Sequence, residues 1–305
     1  MLRPKPLKIG DTIGLVGASS PTPHEKIEPA IKAMENLGFK VIAGESCYAS
    51  HGFLSGKDEL RAKDINHMFR NPDISGVFCI RGGYGAARLL NLIDFDMIKS
   101  NPKVFIGYSD VTAIHIAINQ ACNLVTFHGP MPSTELYKDV DSYTMEYYFN
   151  NIFNDKSLGL IKNPKGMKMK TLVDGCCEGI LTGGNLTLVA ASIGTKYEID
   201  TKGRILFLEE VDEEPYRVDR MLLQLKQSGK LDSAAGILLG YFTNCTAEEP
   251  EKSLSLMEIF EELIFPLKKP TIYDFPCGHD LPTATLPLGG RVKLDGRTSS
   301  VYFID

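Results

Sequence analysis

The chain has 305 residues, 43% hydrophobic and 23% charged, with a formal net charge of -5 at pH 7. That length suggests about two domains, and the composition excludes disordered, collagen-like and coiled-coil chains. The acidic balance supplies no broad cationic field, so no nucleic-acid or membrane partner is expected and small-molecule chemistry gains weight.

In chain order, short apolar runs alternate with helical patterns, which predicts a parallel sheet covered by helices. TIGLVGASS reads as a buried strand and turn, and its apolar stretch is too short for a signal-peptide core. Ile27, Ala30, Ile31, Met34 and Leu37 recur at helical spacing up to Gly38. There follow a strand KVIAGES, a helix GKDELRAKDINHMFRN, a strand ISGVFCI, a helix GAARLLNLI, a strand KVFIGYSD, a helix VTAIHIAINQAC and a closing NLVTFHGP. These place an N-terminal Rossmann-like domain at residues 1–135. Residues 136–170 change character and read as a linker or crossover. Residues 171–305 read as a smaller C-terminal α+β domain, with strands RILFLEEV and AAGILLGYF, helices PYRVDRMLLQLKQ and SLMEIFEELI, and final strands joined at Gly289-Gly290 and Asp295-Gly296. No stretch is long enough to span a bilayer, so the expected address is the cytoplasm. The seven cysteines are odd in number and scattered, apart from the adjacent Cys176 and Cys177, a pattern without a disulfide framework. Neither C-x-x-C nor H-x-x-x-H spacing occurs, so no metal is expected.

Ser109 stands where a buried strand pattern meets an amphipathic helix, a joint at which a hydroxyl projects beyond the sheet and opening N–H groups can receive an oxyanion. The nearest general pattern, G-x-S-x-G, is matched only in part because Val111 holds the second glycine position. Helix capping by Ser109 or Asp110 is the competing reading. In RGGYGAARLL the glycines permit close backbone approach, but the loop lacks the third glycine of a dinucleotide fingerprint and no ribose-holding acid follows. It is better used to offer an N–H, that of Gly83, as an oxyanion donor, and no cofactor is expected.

Of six histidines, His24, His51 and His67 read as solvated and His115 as a helix-surface or interface residue. His279 in FPCGHD and, as a rival, His128 in TFHGPM are candidate bases, His279 requiring a cleft between domains. Glu209 and Glu210 end an apolar strand; alternation puts them on opposite faces without saying which face meets the cleft. Glu213 and Glu214 suit a helix start. Arg217 and Arg220 read as surface or interface residues.

RGGYGAARLL, FIGYSDVTA, TFHGPM, LTGGNLTLV, LFLEEVDEEPYRVDRML and GHD...LPLGG, in this order, resemble the LD-carboxypeptidase family of serine peptidases, over nearly the whole chain. The resemblance implies a triad split between the two domains, with Ser109 as nucleophile, Glu209 as acid and His279 as base, and with the N–H groups of Asp110 and Gly83 lining the oxyanion hole. It further implies a cytosolic, commonly homodimeric enzyme that removes terminal D-alanine from recycled cell-wall tetrapeptides. The free carboxylate terminus of such a substrate makes Arg81 a candidate cation for that carboxylate, with a structural ion pair as the alternative. A sibling branch, resembling the microcin-immunity peptidases, hydrolyses aminoacyl-nucleotide conjugates; the absence of Trp leans toward the cell-wall branch. A non-catalytic or cofactor-dependent anion-binding protein is the rival of another class.

Overall fold

Residues 1–304 are described by a computed structural model, in which the chain divides into two units, 1–155 with 285–288 and 156–284 with 289–304. In the first, the apolar runs become Thr12–Val16 (β1), Lys40–Ala43 (β2), Ile74–Cys79 (β3), Val104–Gly107 (β4) and Thr126–His128 (β5). They form a parallel sheet in the order β5-β4-β3-β1-β2, to which Leu286–Leu288 (β12) adds an antiparallel edge beside β5. The helices are His24–Asn36 (α1), Asp58–Arg70 (α2), Phe95–Ser100 (α3), Thr112–Cys122 (α4) and Ser142–Ile152 (α5). Ile13, Leu15, Phe78, Ile106 and Phe127 of the sheet form one core with Ile27, Ala30 and Met34 of α1 and Tyr148 and Ile152 of α5. Each such fully buried side chain contributes about 1.5–3 kcal/mol. In sheets of this strand order ligands bind beyond the carboxyl ends of the strands, where the loops 80–85 and 108–111 emerge.

Three features depart from the sequence pattern. Helix α5 lies within the stretch read as linker, yet its Tyr148 and Ile152 complete the first core, so the units divide after Asp155. GAARLLNLI makes only a single 3-10 turn, Ala86–Leu89. Asn66 of α2 accounts for this: its Nδ2 donates to Leu92 O at 2.9 Å and its Oδ1 accepts from Asp94 N at 2.9 Å, while Asp94 caps α3. Finally, the strands either side of Gly289-Gly290 do not pair with each other, because β12 belongs to the first unit and the next strand to the second.

The second unit holds Gly159–Leu160 (β6), Lys170–Val173 (β7), Cys176–Asn185 (β8), Ile205–Val211 (β9), Gly236–Thr243 (β10), Thr271–Tyr273 (β11), Arg291–Asp295 (β13) and Ser300–Phe303 (β14). Its sheet runs β6-β14-β13-β8-β9-β10-β11-β7. The central β8, β9, β10 and β11 are parallel and the flanking pairs antiparallel. Leu186–Ala191 (α6), Pro215–Gln227 (α7), Lys230–Ser233 (α8) and Leu256–Leu263 (α9) are its helices. No helix among the described residues is long and apolar enough to cross a membrane.

Candidate active site

Ser109 opens a 3-10 turn, Ser109–Val111, directly between β4 and α4. Its φ is 63°, a left-handed conformation that costs a non-glycine residue of order 1–3 kcal/mol and is found where a tight strand-to-helix turn exposes a nucleophile. The chain around it is firmly held. His115 of α4 donates from Nε2 to Gly107 O at 2.9 Å, and Gly129 N donates to the same carbonyl at 3.1 Å. Contrary to its reading as a helix-surface or interface residue, His115 is fully buried, because α4 is covered on nearly all sides. Burial lowers its pKa to about 4, so it is neutral at pH 7. His128, the rival base, ends β5 as a buried ring against Tyr108, at 5.7 Å between centroids. His24, His51 and His67 are exposed.

The glycine loop lies against the serine. A methyl group at Gly82 would stand 3.1 Å from Ser109 Cβ and 3.3 Å from its Oγ. Gly83, at φ 122°, has its side-chain space filled by Ser20, whose Oγ would be 2.4 Å from an added Cβ. Asp110 lies in the opening turn of a helix, where backbone N–H groups lack intrahelical acceptors, as a donor for an oxyanion requires. The Asp110 side chain joins the two donor segments: it is buried and accepts from Ala86 N at 2.8 Å. Burial raises its pKa, opposed by the loop amides and by Arg61. Arg61 is itself fully buried and donates from Nη1 to Ala18 O at 2.6 Å and Gly85 O at 3.1 Å. Arg81 donates to Pro21 O at 2.8 Å, holding the loop after β1.

In the second unit the two adjacent glutamates have different partners. Glu209 is fully buried, and its Oε2 lies 2.7 Å from His279 Nδ1. Glu210, on the other face of β9, accepts from Asn185 Nδ2, Thr187 N and Thr187 Oγ1, each at 2.8 Å, and from Val211 N at 2.9 Å. It therefore anchors the start of α6, and burial raises its pKa against these bonds. The loop carrying His279 is fixed by residues that the sequence pattern did not single out. Tyr241 Oη donates to Pro282 O at 2.9 Å, Thr243 Oγ1 donates to Asp280 Oδ2 at 2.9 Å, and Gly278 N donates to Thr283 Oγ1 at 3.2 Å. Gly278, at φ 144°, passes so close that an added Cβ would lie 3.3 Å from Glu209 Oε2. A carboxylate on Nδ1 orients an imidazole, sets its tautomer and stabilises its cation, leaving Nε2 as the nitrogen that exchanges protons.

Arg217 pairs with Glu213 at 3.3 Å, and both Arg217 and Arg220 lie over the exposed ring of Tyr216. The buried thiols are poor rival nucleophiles, since desolvation pushes Cys47, Cys79 and Cys277 far up. Among the described residues no group of three or more His, Cys, Asp or Glu is placed to hold a metal ion.

Comparison with known proteins adds to this geometry. Residues 13–129 match the profile of the LD-carboxypeptidase N-terminal domain and residues 178–294 that of the LD-carboxypeptidase C-terminal domain. The probable murein peptide carboxypeptidase of Bacillus subtilis is 42% identical, with 96% of this chain and 91% of the relative covered. A solved structure of the muramoyltetrapeptide carboxypeptidase from Oxalobacter formigenes superposes with a TM-score of 0.82 at 29% identity, over 95% of this chain and 97% of that one. The microcin C7 self-immunity protein MccF of Escherichia coli is 28% identical, with 95% and 92% covered. A solved MccF structure gives a TM-score of 0.92 at 25% identity over 100% and 99% of the two chains.

Proposed function

The chain belongs to the LD-carboxypeptidase family, and we propose that it releases terminal D-alanine from a muramoyl tetrapeptide by means of Ser109, His279 and Glu209. Carboxypeptidase chemistry is common to the family and to the cell-wall relatives. The observation that carries the residue assignment is the buried Glu209 carboxylate on His279 Nδ1.

In the proposed reaction neutral His279 accepts the Ser109 proton at Nε2 as Oγ bonds to the scissile carbonyl carbon. The carbonyl oxygen becomes an oxyanion held by the N–H groups of Gly83 and Asp110. The intermediate collapses, the C–N bond breaks, and His279 gives its proton to the departing amine. Water then attacks the Ser109 ester, with His279 taking a proton and returning it to Oγ, so that one water is consumed per D-alanine released. Glu209 remains ionised throughout. Because Ser109 belongs to one unit and the Glu209–His279 pair to the other, the mechanism requires Nε2 to come within hydrogen-bond reach of Oγ. Arg81 is the proposed partner of the substrate's terminal carboxylate. We place the reaction in cytoplasmic cell-wall recycling by a homodimer that needs no cofactor.

Incubation of the protein with muramoyl tetrapeptide, followed by detection of free D-alanine and the tripeptide, tests this reading. Ser109→Ala is expected to reduce release by roughly four to six orders of magnitude. Near-normal release by that variant would remove Ser109 from the mechanism. The likeness to MccF supports a second reading, hydrolysis of aminoacyl-nucleotide conjugates. Aspartyl sulfamoyl adenosine, a ligand of MccF, serves as the parallel probe, and turnover of a cleavable conjugate in place of the tetrapeptide would favour that branch.

A further inference from the structure

Two large aromatic rings stand in water immediately beyond the glycine loop. Tyr84 is 57% exposed and Phe53 65% exposed, and they meet edge to face at 5.4 Å between centroids and 70° between planes. Neither sits on a loose segment. Tyr84 N donates to Ser20 Oγ at 3.1 Å. Phe53 is at the tip of a tight turn closed by reciprocal bonds, His51 N to Leu54 O at 2.8 Å and Leu54 N to His51 O at 3.1 Å. Leu54 in turn is buried and its Cδ2 fills the space beside Gly85. Ser55 then fastens the turn to the loop after β1, through Oγ to Gly17 O at 2.8 Å and to Ser19 O at 2.9 Å. The two rings therefore form a small exposed apolar patch of fixed position.

Its position relates it to the reaction. Gly82 abuts Ser109, and two Cα steps of 3.8 Å put the Tyr84 Cα within about 7.6 Å of the Gly82 Cα, with the ring projecting further. We propose that Phe53 and Tyr84 form a saccharide subsite that binds the muramoyl sugar of the substrate. This rests on the carboxypeptidase reading of the preceding subsection. When the fourth residue of a muramoyl tetrapeptide is removed, three residues separate the scissile carbonyl from the sugar, an extended span of about 10–11 Å. That spacer carries the sugar past the glycine loop to the rings. A pyranose offers a face of weakly positive C–H groups, which suits the negative faces of aromatic rings, and two rings at a wide angle give it a corner to seat in. Binding energy from this remote, non-reacting part of the substrate tightens the complex without touching the chemistry.

The test compares the free tetrapeptide with its muramoyl form on wild-type protein and on Phe53→Ala, Tyr84→Ala and the double variant, together with saturation-transfer NMR of the muramoyl sugar lacking peptide. Wild type is expected to show a KM at least ten-fold lower for the muramoyl form at similar kcat, and contact of the sugar with the protein in NMR. The double variant is expected to lose both the preference and the contact while its kinetics on free tetrapeptide stay within about two-fold. Phe53→Tyr should retain the preference, since it keeps the ring. Equal KM values in wild type, or a preference that survives in the double variant, overturn the subsite while leaving the carboxypeptidase intact. Failure to hydrolyse either peptide overturns the carboxypeptidase reading and the subsite with it. A change in the sedimentation coefficient of the double variant to that of a smaller assembly would show the rings to be covered by a second copy, and would likewise overturn the proposal.

Discussion

Replacing Gly82 by Ala places one methyl group against the proposed nucleophile. Its Cβ would lie 3.1 Å from Ser109 Cβ, 3.3 Å from Ser109 Oγ and 3.4 Å from Met131 Cε. Carbon atoms pack at about 3.5–4.0 Å, so Ser109 must retreat by at least about 0.4 Å. The backbone of Gly82 lies outside the left-handed region, so alanine introduces no strain of its own, and one methyl added at this buried position should cost about 1–3 kcal/mol of stability. Misplacing a reacting group by about 1 Å costs roughly 100-fold. A displacement about half as large therefore predicts a ~10-fold fall in kcat, or ~1.4 kcal/mol in barrier, with KM little changed. Gly83→Ala provides the contrast. There the new Cβ meets Ser20 Oγ at 2.4 Å and Ser20 Cβ at 2.5 Å, on a backbone at φ 122°, which should cost about 2–4 kcal/mol of stability. D-Alanine release kinetics paired with thermal melting separate the two. Wild-type kcat in Gly82→Ala, or an unshifted melting temperature in Gly83→Ala, would refute the packing of this loop.

Glu209→Gln should fold stably, since the amide oxygen still accepts from His279, yet lose roughly four orders of magnitude in kcat as the imidazolium loses its counter-charge. Glu210→Gln should do the reverse: its NH2 group must face either the donors Asn185 Nδ2 and Val211 N or the donor Thr187 N, which destabilises by about 2–4 kcal/mol, while kcat stays within about ten-fold. Inverted results would exchange the roles of the two carboxylates. Acidification should also reveal His115. With a folded pKa of about 4 against about 6.5 when unfolded, the unfolded chain binds the proton first, so this group withdraws stability as pH falls from about 6.5 to about 4, by up to roughly 3 kcal/mol. Chemical denaturation across that window, compared with His115→Gln, should show a shallower acid loss in the variant; parallel curves would contradict the assignment.

Features set by local physics are legible in the sequence, and those set by contacts distant in sequence are not. The place of Ser109 at a strand-to-helix joint is legible because an apolar strand run meets a helical period at that residue. The choice between Glu209 and Glu210 is not, since alternation separates their faces but the partners, His279 on one side and Asn185 and Thr187 on the other, come from elsewhere in the chain. The burial of His115 is not legible, because its place over a turn and a half along the helix from Ser109 says nothing of which helix faces are covered, and α4 has almost no wet face. The helix anticipated after RGGYG ends in its first turn because Asn66, from α2, captures the backbone at Leu92 and Asp94. The place of α5 in the first unit, and the return of β12 to β5, likewise rest on packing partners more than a hundred residues apart in the latter case.

The proposed reaction depends above all on activation of the Ser109 hydroxyl by the imidazole of His279. Rates of fluorophosphonate labelling, with the adduct located by peptide mass spectrometry, test it in wild type and in His279→Ala. A single adduct on Ser109 is expected in wild type, with a labelling rate lower by about a thousand-fold or more in the variant. An adduct on another residue, or equal labelling with and without the imidazole, would contradict it.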